Sequence, residues 1–153
     1  MSCAGNNILH QVCLTGDLPL AGIIPQNSVD INHQNKEGQT PLHLAILKGD
    51  LSLFKFLLSL GPDLTALNRD RESYLEISLT HFSPAVCRAL LDVWPHQLQL
   101  YQPENKESWL HFTAKNGMLE QTELLLQSGH HVEARDANLQ SPLHYAVLFN
   151  QVR

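Results

Sequence analysis

A six-residue pattern, TPLHLA from Thr40 to Ala45, recurs along the chain. Ser141 to Ala146 reads SPLHYA, Ser108 to Thr113 SWLHFT, Ser73 to Ser78 SYLEIS and Asn7 to Val12 NILHQV. The copies begin at residues 7, 40, 73, 108 and 141, in steps of 33, 33, 35 and 33. A near-constant period of this length points to stacked repeats. In such a fold each unit buries its apolar face only against its neighbours.

The residues after each copy repeat as well. Gly49-Asp50 follows TPLHLA, and Gly16-Asp17 and Gly117-Met118 hold the same place. Apolar runs come next: FLL at 56 to 58, ALL at 89 to 91 and LLL at 124 to 126. Gly61 and Gly129 close two of the units, and short β-like tails follow at 29 to 32, 63 to 67 and 131 to 135. Period and signature together resemble the ankyrin repeat. The resemblance covers nearly the whole chain and implies an all-α solenoid of stacked antiparallel helix pairs with short β-hairpin loops. It is read as a single domain with units at about 2–34, 35–67, 68–102, 103–135 and an incomplete 136–153.

The second unit shows why the helices form. Thr40 caps the first helix, with Pro41 just inside it. Leu42, Ala45 and Ile46 share one face. Asp50 caps the second helix, and Leu53, Phe54, Leu57 and Leu58 form its stripe. Gly61 supplies the left-handed turn that ends it, and Pro62 blocks continuation. The first unit is less regular: Asp17 caps a second helix of about two turns that Pro25 stops.

In the third unit Tyr74 replaces Pro, Glu76 replaces His, and Val86, Ala89, Leu90 and Val93 are expected to keep the stripe. Its loop, LQLYQPENKE, is two residues longer than its counterpart, so a longer or bent hairpin is expected. Either this is drift in a middle repeat, or Trp94, Tyr101 and the loop form a partner-specific knob. In the fourth unit Leu110, Thr113 and Ala114 face inward. The fifth is cut short, leaving Leu143, Val147 and Phe149 without cover. The half-unit serves as a crude cap, belongs to a longer protein, or pairs with another molecule.

A net charge of −5 without a basic cluster argues against nucleic acid as a partner. Cys3, Cys13 and Cys87 form no CxxC pair, which fits a reducing interior. No signal peptide or membrane-length apolar run is visible. The expected location is the cytoplasm, or the nucleus.

Nothing in the sequence assembles a catalytic, cofactor or metal site. His10, His43, His111 and His144 occupy one slot of the repeat, where a structural role is expected. The ankyrin resemblance implies that each bonds backbone near the next hairpin. His130 and His131 read as loop histidines. Cys13 and Cys87 fall on apolar faces and behave as small hydrophobes. No GxSxG, HExxH, P-loop or GxGxxG pattern occurs.

Function then falls to the surface, to the concave face of first helices and hairpin tips. The tip residues are Lys36, Glu37 and Gln39; Arg69, Asp70 and Glu72; Glu104, Asn105 and Glu107; and Ala137, Asn138 and Gln140. The exposed ends of first helices add Leu47, Lys48, Thr80, His81, Lys115 and Asn116. In ankyrin proteins these positions carry partner contacts. The expected function is a non-catalytic adaptor or inhibitor binding a protein partner, monomeric unless the C-terminal edge pairs. The alternative is a targeting or substrate-receptor segment of a larger enzyme or ubiquitin-ligase component.

Overall fold

The computed structural model describes residues 4–81, 83–93, 100–102 and 104–149. Helices α1 (Ile8–Thr15), α2 (Leu18–Ile23), α3 (Pro41–Lys48), α4 (Leu51–Ser59), α5 (Tyr74–Thr80) and α6 (Pro84–Val93) come first. Two short strands follow, β1 (Leu100–Gln102) and β2 (Glu107–Ser108), then α7 (Trp109–Lys115), α8 (Leu119–Gln127) and α9 (Pro142–Leu148). The residues pack as two compact units, Met1–Cys87 and Arg88–Arg153, and the division falls inside α6.

In the first compact unit, α3 is the central element and packs against α1, α4 and α5. Leu42, Ala45 and Ile46 of α3 are fully buried, as are Leu53, Phe54 and Leu57 of α4. Asp50 caps α4 by accepting from the N–H groups of Ser52 and Leu53, both at 3.0 Å. Asp17 caps α2 through the Leu20 N–H at 3.0 Å, and α2 ends just before Pro25. In the second compact unit, α7 packs against α8 and α9. Leu110 and Thr113 face inward as expected, and Ala114 is half-buried.

Four first helices are opened by one device. The cap residue's own N–H donates to Nδ1 of the histidine three positions on: Asn7 to His10 at 3.2 Å, and Thr40 to His43, Ser108 to His111 and Ser141 to His144 at 3.0 Å each. An accepting Nδ1 places the ring proton on Nε2. This is the reciprocal capping arrangement in which histidine takes the part of Glu or Gln. In α5, Ser73 Oγ accepts the Glu76 N–H at 3.2 Å, with no histidine to reply.

Three expectations are corrected. The tails at 29–32, 63–67 and 131–135 are turns, not strands. Short polar side chains claim the backbone there: Asp30 Oδ1 accepts the Asn32 N–H at 2.9 Å, and Asp63 Oδ1 the Thr65 N–H at 2.9 Å. In α6 the buried stripe is Val86, Cys87, Leu90 and Leu91; Ala89 is half-buried and Val93 exposed. The expected and the buried sets share Val86 and Leu90, and packing covers Cys87 and Leu91 on one flank of them instead of Ala89 and Val93 on the other. The histidine bonds are the third correction, described below.

The longer loop does form the bent hairpin. Strands β1 and β2 are antiparallel, Leu100 opposite Ser108 and Gln102 opposite Glu107, with an irregularity between them. Tyr101 lies on β1, and Trp94 is outside the described residues.

Candidate functional site

The hairpin tips share a hydrogen-bond plan. In the tip that precedes α3, Asn35 N–H donates to the Gln39 carbonyl and Gly38 N–H to the Asn35 carbonyl, both at 2.9 Å. Asn35 Oδ1 accepts the N–H groups of Glu37 and Gln39 at 3.0 and 2.9 Å. Asn68 does the same for the Glu72 N–H, and Asp136 for those of Asn138 and Gln140. One buried or half-buried Asn or Asp thus holds each of these three turns, and the residues directly after it face solvent.

Successive tips are tied by backbone. Lys36 N–H donates to the Ala4 carbonyl at 3.0 Å, and Arg69 N–H to the Glu37 carbonyl at 3.1 Å. In the second compact unit, Ala137 N–H donates to the Asn105 carbonyl at 2.8 Å. The tips are therefore a fixed row within each unit, not independent loops.

Of the expected contact residues, Lys36, Glu37, Arg69, Asp70, Glu104, Asn105 and Asn138 are exposed on these tips, as is Ala137. Gln39, Glu72, Glu107 and Gln140 turn partly inward. Glu72 Oε2 accepts from Asn68 Nδ2 at 2.7 Å, and Glu107 Oε1 from the Tyr145 hydroxyl at 2.9 Å. At the helix ends, Leu47 is half-buried and Thr80 and His81 are exposed, Thr80 Oγ1 donating to the Glu76 carbonyl. Lys48 Nζ donates to the Leu14 carbonyl. Lys115 Nζ sits 5.1 Å from the Phe149 ring centre, and Asn116 Nδ2 donates to the Phe112 carbonyl at 2.8 Å. The tips thus hold most of the uncommitted side chains, whereas Lys48, Thr80, Lys115 and Asn116 already serve the fold.

The expected histidine bond across repeats forms at two of four positions. His10 Nε2 donates to the Gln39 carbonyl at 2.8 Å and His111 Nε2 to the Gln140 carbonyl at 2.9 Å. His43 Nε2 closes no hydrogen bond, although the Glu72 carbonyl lies beside the ring. Tyr74 packs against this ring. Its ring centre lies 4.2 Å from that of His43, and its hydroxyl lies 2.9 Å from Thr40 Oγ1. His144 is exposed, and its Nε2 meets no carbonyl among the described residues. Burial pushes the His43 ring down to about 4, with partial relief from the Glu72 carbonyl, and lowers His10 as well.

The cysteines are placed for packing. Cys13 and Cys87 are fully buried, and burial raises their thiols to about 12 and about 11. Cys3 lies outside the described residues. Among those described, no cluster of His, Cys, Asp and Glu could hold a metal ion, and no helix is long and apolar enough to cross a membrane.

Sequence reasoning passed over one column of residues. Two positions before each helix cap stand Gly5, Gly38, Arg71, Lys106 and Leu139, all with positive φ. Aligning the copies would have shown the change from glycine to large side chains. The signal is weak because a side chain states its charge directly and its backbone conformation not at all.

A family model described as ankyrin repeats (many copies) matches residues 9–58 and 110–153. No curated protein matches the chain.

Proposed function

Since the chain belongs to the ankyrin repeat family, whose all-α repeat solenoids serve as protein–protein interaction modules, we propose that it is a non-catalytic adaptor or inhibitor gripping a protein partner with its hairpin tips. The observation that supports this reading most is the construction of the tips. Their backbones are fixed by turn and tip-to-tip hydrogen bonds, while Lys36, Glu37, Arg69 and Asp70 stand exposed with side chains in no ion pair or hydrogen bond among the described residues. A fixed row of uncommitted side chains loses little freedom on binding. Its mixed charge suits a protein surface of mixed sign. The partner-binding set is Lys36, Glu37, Arg69, Asp70, Glu104, Asn105 and Asn138. Gln39, Leu47, Lys48, Glu72, Thr80, His81, Glu107, Lys115, Asn116 and Gln140 form its margin. The proposed location is the cytoplasm or nucleus.

The test is an affinity pull-down from lysate with the intact chain and with the K36A/R69A/E104A variant. Loss of the captured proteins from the variant supports the reading; equal capture by both removes the tips as the binding surface.

A second reading is a targeting or substrate-receptor segment of a larger enzyme or ubiquitin-ligase component. The exposed apolar side of α9, with Leu143, Val147 and Leu148, favours it by offering a seat to a further element. Reading the coding sequence past codon 153 tests it.

A further inference from the structure

Gly5, Gly38, Arg71, Lys106 and Leu139 occupy one place in the tips, with φ of 74°, 72°, 64°, 54° and 62°. In this left-handed region an L side chain crowds its own backbone, and glycine alone escapes the crowding. Asn and Asp recover part of the loss through local hydrogen bonds; Arg, Lys and Leu have no such device. Gly5 and Gly38 demonstrate that the turn accepts glycine. At the three later tips a large side chain is present instead.

Among the described residues those side chains make no polar contact that holds the fold. Arg71 and Lys106 are exposed, and neither side chain has an ion pair or hydrogen bond among the described residues. Leu139 is 75% exposed. The backbones that present them are fixed: Arg71 N–H donates to the Asn68 carbonyl and Leu139 N–H to the Asp136 carbonyl, each at 3.0 Å. The tip of Lys106 is tied to that of Leu139 through the bond from Ala137 N–H to the Asn105 carbonyl. Strain kept at a rigid, exposed position with no polar contact in return is the pattern of a contact residue.

We infer that Arg71 in the first compact unit, and Lys106 with Leu139 in the second, are partner contacts, and that the segment held by the second unit combines a carboxylate with an apolar side chain. The ammonium of Lys106 receives the carboxylate, and the planar fork of Arg71 receives one separately at its own unit. Leu139, one tip along from Lys106, receives an apolar side chain. This inference rests on the interaction-module reading above and adds to it three residues and the chemistry of the ligand.

The experiment uses the full chain and R71G, K106G and L139G. Each glycine variant relieves strain, so its urea midpoint is expected at or above that of the parent. Random twelve-residue peptides on phage are then selected on the parent chain, and the winners are measured against all four proteins by fluorescence anisotropy. Winners rich in Asp, Glu and Leu are expected, each with affinity at least about tenfold weaker either for R71G or for K106G and L139G, according to the unit it binds. Winners that bind the glycine variants as tightly as the parent, yet lose affinity for K36A or R69A, overturn this inference and leave the interaction-module reading standing. A library that yields no binder removes both. A fall in urea midpoint for any glycine variant shows that its side chain serves the fold and overturns its assignment.

Discussion

His111 Nε2 lies 2.9 Å from the carbonyl oxygen of Gln140, 29 residues further along the chain. The same ring accepts the Ser108 N–H at Nδ1. One side chain therefore starts its own helix and holds the next tip. His111→Ala removes both bonds and leaves a buried N–H without a partner. The expected loss is about 3 kcal/mol of unfolding free energy. Urea titration checks it, and a loss below about 1 kcal/mol would show that water replaces the ring without penalty.

His43 makes stability depend on pH. Its ring is ordinarily half-protonated at 6.5, and in the fold at about 4. The unfolded chain therefore binds more protons between those values. The stabilisation is fully present above 6.5 and disappears as pH falls toward 4. The size is roughly 3 kcal/mol. His43→Gln keeps a side chain able to cap Thr40 but cannot titrate. The slope of unfolding free energy against pH should flatten in the variant, leaving the smaller share that His10 contributes. An unchanged slope would clear His43 of the effect.

The repeat register, the caps and the inward faces of α3 and α4 were legible because each follows from a residue type at fixed spacing. Thr40, Pro41 and Asp50 act through local hydrogen bonds and sterics, which a sequence states directly. Tyr74 was not legible. It read as a lost proline, yet its hydroxyl reaches Thr40 of the preceding repeat and the Asp63 carbonyl, 3.3 Å away. Tyr145 behaves likewise, donating between Glu107 Oε1 and Asp136 Oδ2 and so drawing Glu107 inward from the expected contact set. Both effects join residues far apart in sequence, where periodicity carries no information. The tips were half legible: the exposed residues could be chosen by position, but the left-handed backbone at Arg71, Lys106 and Leu139 could not be seen without coordinates.

Two glycines separate conformation from contact. Gly38 and Gly61 have φ of 72° and 71°. A Cβ on Gly38 would lie 2.6 Å from the Arg69 nitrogen, whereas one on Gly61 would meet nothing within 4 Å. Gly61→Ala should lose about 1 kcal/mol, the left-handed penalty alone. Gly38→Ala must also push the next tip away, breaking the bond from Arg69 N–H to the Glu37 carbonyl, and should lose about 2–3 kcal/mol. Hydrogen exchange at the Arg69 amide should accelerate in Gly38→Ala only. Equal losses in both variants would mean that the tip row yields freely.

The last helix tests what covers the repeat. Leu9, Leu42, Leu75 and Leu110 stand in one register and are buried, while Leu143 in the same register is 67% exposed. Val147 is 62% exposed where Ile46 is fully buried. The apolar side chains are therefore those of a repeat with neighbours on both sides, on a helix that packs on α7 by one side and has no cover on the other among the described residues. Leu42→Ala opens a cavity in a packed core and should lose about 3–5 kcal/mol. Leu143→Ala removes only exposed surface and should lose less than about 0.5 kcal/mol. Leu143→Glu with Val147→Glu should preserve the fold and lower any self-association seen by sedimentation at rising concentration. A loss at Leu143 approaching that at Leu42 would show that this side of α9 is covered in solution, and sedimentation of the parent would tell whether a second copy covers it.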